Sequence, residues 1–239
     1  MWRTVDLELS EDLVDAPAMS NRLLAEVVGT FGFFFIGFSG IAASVNLPGS
    51  IAPAGVAAGF GLGLGLMIAA FGQISGGHYN PAVTFGLAVG RKFPMAAVIP
   101  YWVAQLIGGF LAAVVATILY TSDVKDSLVT NPGKGVEDWR AMLVELVAVF
   151  LFVSVIITVA TDDSAPWKGI LAPVAIGGFI FTAAVTMGPT SGGSFNPARS
   201  IDPAIWAGEF GNVWIYIVGP LAGAALAGAL SMAIRGEKG

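Results

Sequence analysis

Ser75-Gly76-Gly77-His78-Tyr79-Asn80-Pro81-Ala82 returns, little altered, as Ser191-Gly192-Gly193-Ser194-Phe195-Asn196-Pro197-Ala198. In both copies a glycine-rich polar run leads into Asn-Pro-Ala and then into a short apolar stretch of helical composition. Asn is a favoured N-cap and Pro is tolerated at the first helical position, so each copy reads as the start of a short helix. The apolar stretches, near residues 81–90 and 197–207, are too short to cross a bilayer, which takes about 20 residues. The pair therefore predicts two half-helices.

Around them lies a chain of 239 residues, 56% hydrophobic and only 11% charged, with a mean hydropathy of +0.80. That composition is too apolar for an ordinary soluble domain and implies an integral membrane protein, which the helix-length apolar stretches below make all-α. A net charge of −5 without a long basic run argues against a nucleic-acid partner. The absence of Cys excludes disulfides, thiol catalysis and Cys-based metal sites; no cofactor is expected. Six stretches are long enough to span: 23–45, 51–73, 96–120, 139–160, 167–188 and 211–234. Arg3, Arg22, Arg91, Lys92, Lys168, Arg235 and Lys238 fall on one side, and Lys125, Lys134 and Arg140 on the other. Seven against three places both termini in the cytoplasm. The acidic segment with Asp6, Glu8, Glu11, Asp12 and Asp15 lacks an apolar region and reads as a polar tail.

The two halves repeat. Ala25-Glu26-Val27-Val28-Gly29 corresponds to Val144-Glu145-Leu146-Val147-Ala148 at an offset of 119, the Asn-Pro-Ala triplets lie 116 apart, and Gln105-Leu106-Ile107-Gly108 corresponds to Pro220-Leu221-Ala222-Gly223 at 115. Three spans per half is an odd number, so the second copy is inverted. One membrane domain over 1–239 results, with a tail (1–22), a first repeat (23–120), an external connecting loop (121–138) and a second repeat (139–234). The two short loops enter from opposite faces, and non-helical backbone at that depth is tolerable only inside protein or beside a water-filled cavity. Gly55, Gly59 and Gly63, with Gly61 and Gly65, mark the second span for close helix packing.

The paired triplets, the Arg199 that follows the second, and the inverted repeat closely resemble the aquaporin, or major intrinsic protein, family, from about residue 20 to 235. The resemblance implies six transmembrane helices with two re-entrant half-helices meeting beside a pore, passive conduction of water and small uncharged solutes such as glycerol, and a homotetramer with one pore per subunit in a plasma or inner membrane. Asn80 and Asn196 offer amide donors where two positive helix ends converge, a field that repels hydronium and metal cations. The carbonyls of Gly76, Gly77, His78, Gly192, Gly193 and Ser194 form a ladder of acceptors. Glu26 and Glu145, costly in apolar helices unless paired, are equivalent under the repeat and by the resemblance accept hydrogen bonds from the loop amides; a proton relay, the alternative, would need a chain of titratable groups. His78, the only His, sits at the pore edge.

Arg199 belongs, by the same resemblance, to a narrow outer constriction whose other members are Phe60, Ala184 and Gly193. Strict water channels resemble a Phe/His/Cys-or-Thr/Arg set and glycerol channels a Trp/Gly/Phe/Arg set; here the His is replaced by Ala184 and the opposing residue is Gly193, which implies a wider, less polar aperture. Ser200, Ala204 and Tyr216 look like the water branch and Ile217 does not, while Gly188-Pro189-Thr190-Ser191-Gly192-Gly193 is similar to nodulin-26-like channels, some of which conduct boric or arsenous acid. Asp202 departs from the Gly usual at its position. Asp162 and Asp163 read as a solvated loop. A channel chiefly for glycerol or metalloid acids is one alternative. A secondary transporter would also use inverted repeats and broken helices, and an enzyme is disfavoured because the lone His lacks a nucleophile arrangement.

Overall fold

The structure is a computed structural model that describes residues 17–121, 124–165 and 167–235. The acidic residues expected in the tail, with Arg3 and Lys238, lie outside the described residues. Among the described residues ten α-helices follow one another: α1 (Met19–Asn46), α2 (Pro53–Ser75), α3 (Pro81–Val89), α4 (Val98–Tyr120), α5 (Val124–Ser127), α6 (Asp138–Ile156), α7 (Ala172–Thr186), α8 (Gly188–Ser191), α9 (Pro197–Ala207) and α10 (Ile215–Arg235). A 3-10 turn, Met95–Ala97, leads into α4, and a π-helical segment, Ile157–Thr161, extends α6. Among the described residues five helices are long and apolar enough to cross a membrane.

The sixth expected span, 167–188, is shorter. Gly169 adopts φ 75° and donates its N–H to Val159 O at 2.8 Å, folding 167–170 back onto the π segment. α7 therefore begins at Ala172 and its 15 residues reach about 22 Å at 1.5 Å per residue. Residues 211–214, expected in the last span, form i→i−3 turns instead, so α10 starts at Ile215. At the other end of the chain α1 starts at Met19, inside the expected tail, with exposed polar residues in its first turn. The connecting loop carries the short helix α5.

The halves are arranged as repeats. α1 packs on α4 as α6 packs on α10, α3 lies against α10 as α9 lies against α4, and α2 meets α7 across the centre. Close approach is licensed by equivalent glycines: a Cβ on Gly108 would stand 2.3 Å from Val27 O, and one on Gly223 would stand 2.2 Å from Leu146 O. In α2 the small residues serve two faces, with Gly61 and Gly65 against α7 and Gly59 and Gly63 against α1. Ile99, Val103, Ile107 and Leu111, four apart on α4, are exposed and form an outward apolar stripe.

Candidate pore

Each half-helix is capped by the Asn that the sequence marked. Asn80 Oδ1 accepts from Ala82 N at 2.8 Å and Asn196 Oδ1 from Ala198 N at 3.1 Å, with Pro next in each chain. The residues just before them, Tyr79 (φ 47°) and Phe195 (φ 54°), are left-handed although neither is Gly. This turns their carbonyls toward the opposite loop. Asn80 Nδ2 donates to Phe195 O at 2.8 Å and Asn196 Nδ2 donates to Tyr79 O at 2.9 Å, a reciprocal bridge between the two loops. An amide nitrogen carries two hydrogens, so each Asn keeps a second donor.

Glu26 and Glu145 hold the loops in matching fashion. Glu26 Oε1 accepts from Ser75 Oγ (2.7 Å) and His78 N (3.0 Å), and Oε2 from Tyr79 N (2.8 Å). Glu145 Oε1 accepts from Ser191 Oγ (2.8 Å) and Ser194 N (3.0 Å), and Oε2 from Phe195 N (2.6 Å). Both carboxyl groups are fully buried, where only such saturation makes them tolerable. Two tyrosines complete the pattern: Tyr101 and Tyr216 donate to Ser75 O and Ser191 O at 2.8 and 2.7 Å. Sequence reasoning singled out Tyr216 without this role and missed Tyr101, although the offset of 115 that pairs Gln105 with Pro220 also pairs the two tyrosines.

A cavity of about 700 Å³ passes these groups, from Pro17, Arg22 and Lys92 at one end to Ala184, Gly193 and Arg199 at the other. Asn80, Asn196, Phe60, Gly76, Gly77, His78 and Ser194 are on its wall. Pro81, Ala82, Pro197 and Ala198 are buried in the half-helices behind the two Asn. Gly192 stands behind the wall, where a Cβ would meet Asn131 O at 2.4 Å and Tyr216 Oη at 2.9 Å. His78 bonds Thr84 Oγ1 through Nδ1 at 3.1 Å and lies against Phe93 and Tyr101.

Arg199 donates from Nη1 to Leu128 O at 2.8 Å and to Thr130 Oγ1, with its guanidinium 5.3 Å from the Phe60 ring centroid and 5.8 Å from that of Phe38. A buried cation placed over two rings and bonded to a carbonyl is held in one orientation. Leu128 and Thr130 come from the connecting loop, and nothing in their sequence announces the role. Asp162 Oδ1 accepts from Ser164 N and Oγ, and Asp163 pairs with Lys168.

A helical bundle in which two half-helices meet end to end beside a cavity running past their N-caps is the architecture of a multi-pass membrane channel. Residues 14–231 match the family described as Major intrinsic protein, and the chain belongs to that family, whose members form channels for water and small solutes. Aquaporin TIP2-3 of Zea mays is 40% identical over 218 residues, covering 88% of this chain and 86% of that protein. Nodulin-26 of Glycine max is 37% identical over 223 residues, covering 93% and 80%. In fold the chain is similar to the X-ray structure of the aquaglyceroporin from Plasmodium falciparum, with a TM-score of 0.79 at 22% identity over 91% of this chain and 95% of that one.

Proposed function

We propose that the protein conducts water and small uncharged solutes, glycerol among them, passively, and that it excludes ions and protons. The observation that carries this reading is the placement of both Asn amides and Arg199 on the wall of one cavity. Each half-helix contributes roughly half an elementary charge at its N-terminus, so the two ends together add about one positive charge to that of Arg199. A water accepting from both Asn donors points its hydrogens outward, which breaks the chain a proton would follow. Phe60, Ala184, Gly193 and Arg199 form the selectivity filter, and the carbonyls of Gly76, Gly77, His78, Gly193 and Ser194 supply acceptors along the path. Both termini are assigned to the cytoplasm of a plasma or inner membrane on the Lys and Arg distribution, and the assembly is a homotetramer by family likeness.

The small Ala184 and Gly193 support a wide aperture and keep open a second reading, a channel chiefly for glycerol or metalloid acids. Stopped-flow light scattering on reconstituted vesicles tests both, comparing water shrinkage with glycerol re-entry in one preparation. Fast water with fast glycerol is expected. Glycerol at the lipid background would show that Ala184 and Gly193 do not set the narrowest point. Flux that saturates or depends on an ion gradient would favour a secondary transporter instead.

A further inference from the structure

One seam of the internal repeat differs from its counterpart in polarity: three positions that are apolar or glycine in one copy carry polar side chains in the other. Between α6, α10 and α3 the seam contains Val149, Val153, Pro220, Ala224 and Gly86, and a Cβ on Gly86 would meet Ala224 O and Val153 Cγ1, each at 2.9 Å. The equivalent positions between α1, α4 and α9 are Thr30, Phe34, Gln105, Gly109 and Asp202. Here the side chain has moved to the half-helix: a Cβ on Gly109 would lie 2.0 Å from Asp202 Oδ2 and 2.7 Å from the Phe34 ring.

Thr30 and Gln105 are fully buried and Asp202 is 1% exposed. Five buried side-chain polar atoms have no hydrogen-bond partner among the described residues, and three of them, Thr30 Oγ1, Gln105 Oε1 and Asp202 Oδ2, belong to this seam. Gln105 spends its Nε2 on Glu26 Oε2 (2.7 Å) and Thr84 Oγ1 (2.9 Å), so its oxygen is the end left over. Thr30 follows Glu26 by one helical turn, and its Cβ lies 3.1 Å from a Cβ built on Gly108. Gln105, Gly108 and Gly109 share one face of α4. The three atoms thus belong to side chains that border one stretch of α4, from Gln105 to Gly109.

Buried polar groups in native proteins are paired, either with protein or with ordered water, and a buried water makes about three hydrogen bonds to groups otherwise unsatisfied. We propose that the α1–α4–α9 seam is a second water-binding site, separate from the pore, in which bound water bridges Thr30, Gln105 and Asp202 and fixes α9 against α1 and α4. No residue of this set is on the cavity wall. Because Arg199 lies three residues before Asp202 on α9, the site also steadies the helix that carries it.

Water-edited magic-angle-spinning NMR on the protein in lipid bilayers tests this. Thr30 and Val149 are both fully buried at equivalent positions of the two repeats, and neither is on the cavity wall. Magnetisation from water is expected to reach Thr30 several-fold faster than Val149, and equal rates would overturn the proposal. In the double variant Asp202→Gly/Gly109→Ala, which reproduces the Gly86/Ala224 pairing of the other seam, removes one of the three water partners and fills the space beside it, the Thr30 rate is expected to fall to that of Val149. A folded double variant with the rate unchanged would overturn it as well. Should that variant fail to fold, the comparison within the natural protein decides alone.

Discussion

Replacing Glu145 by Gln isolates one bond in the scaffold of the second loop. The carboxylate holds Ser191 and Ser194 through Oε1 and Phe195 N through Oε2. Gln keeps an oxygen for the first two and turns an amide N–H toward Phe195 N, which loses its acceptor. A buried donor left without a partner costs about 1–3 kcal/mol, so opening of the segment around Phe195 becomes easier by that amount. At about 1.4 kcal/mol per tenfold, the Phe195 amide is expected to exchange roughly 5- to 150-fold faster. Glu145→Leu would strand all three donors at about 3–9 kcal/mol, which overlaps the whole net stability of a typical protein of about 5–15 kcal/mol; the Gln variant is therefore the informative one. Amide-resolved hydrogen exchange in nanodiscs measures it, with His78 and Tyr79, anchored by Glu26, as controls. Unchanged exchange at Phe195 in a folded protein would refute the reasoning. Equal acceleration at His78 and Tyr79 would refute the idea that each loop has its own anchor.

Ala184→His is expected to narrow the constriction and to suppress glycerol flux more than water flux, by on the order of tenfold, in stopped-flow assays; equal suppression would count against the filter assignment. Gly109→Ala drives a Cβ onto Asp202 Oδ2 and the Phe34 ring, an overpacking worth about 1–3 kcal/mol. Its thermal aggregation midpoint in detergent should fall and then recover when Asp202→Gly is added; failure to recover would place the clash elsewhere. The hydrogen bond from Lys168, with its charge and that of Lys92, holds the exposed Asp163 carboxyl below its ordinary range. Its contribution is present at neutral pH, above the unfolded value, and is lost as pH falls through the lowered folded value. A carboxyl NMR titration should show the Asp163 midpoint rise in Lys168→Gln, and an unchanged midpoint would deny the pairing.

The half-helices were legible because capping is local. Asn80-Pro81 and Asn196-Pro197 carry their instruction within a few residues, and the structure starts α3 and α9 at those prolines. The inverted repeat was legible because Glu26 and Glu145 are conspicuous in apolar helices. Helix starts were less so: hydropathy cannot see that Gly169 folds 167–170 back onto Val159, since an apolar turn and an apolar helix have the same composition. Some residues that act across the chain were not legible. Thr130 reaches Arg199 from 69 residues away, through a loop with no periodicity to read. The Gly192 carbonyl was expected along the path, but Gly192 is not among the residues lining the cavity, whereas its repeat counterpart Gly76 is. Asp202 stood out as a departure, but its meaning depends on Gly109, which only the packed structure places opposite it.

The reciprocal bonds between Asn80 and Phe195 O, and between Asn196 and Tyr79 O, span 115 and 117 residues of sequence. At about 5–20 residues per second of synthesis, the first loop is made roughly 6–23 seconds before the backbone that must receive its amide exists. During that interval Asn80 has no partner from the other half, and the loop cannot be finished in its final form. Maturation therefore includes a step that must wait for the second half, in which the two halves close on each other like a clasp. A ribosome stalled after the first half would leave a chain whose spans are in the membrane and whose central contact is still waiting to be made.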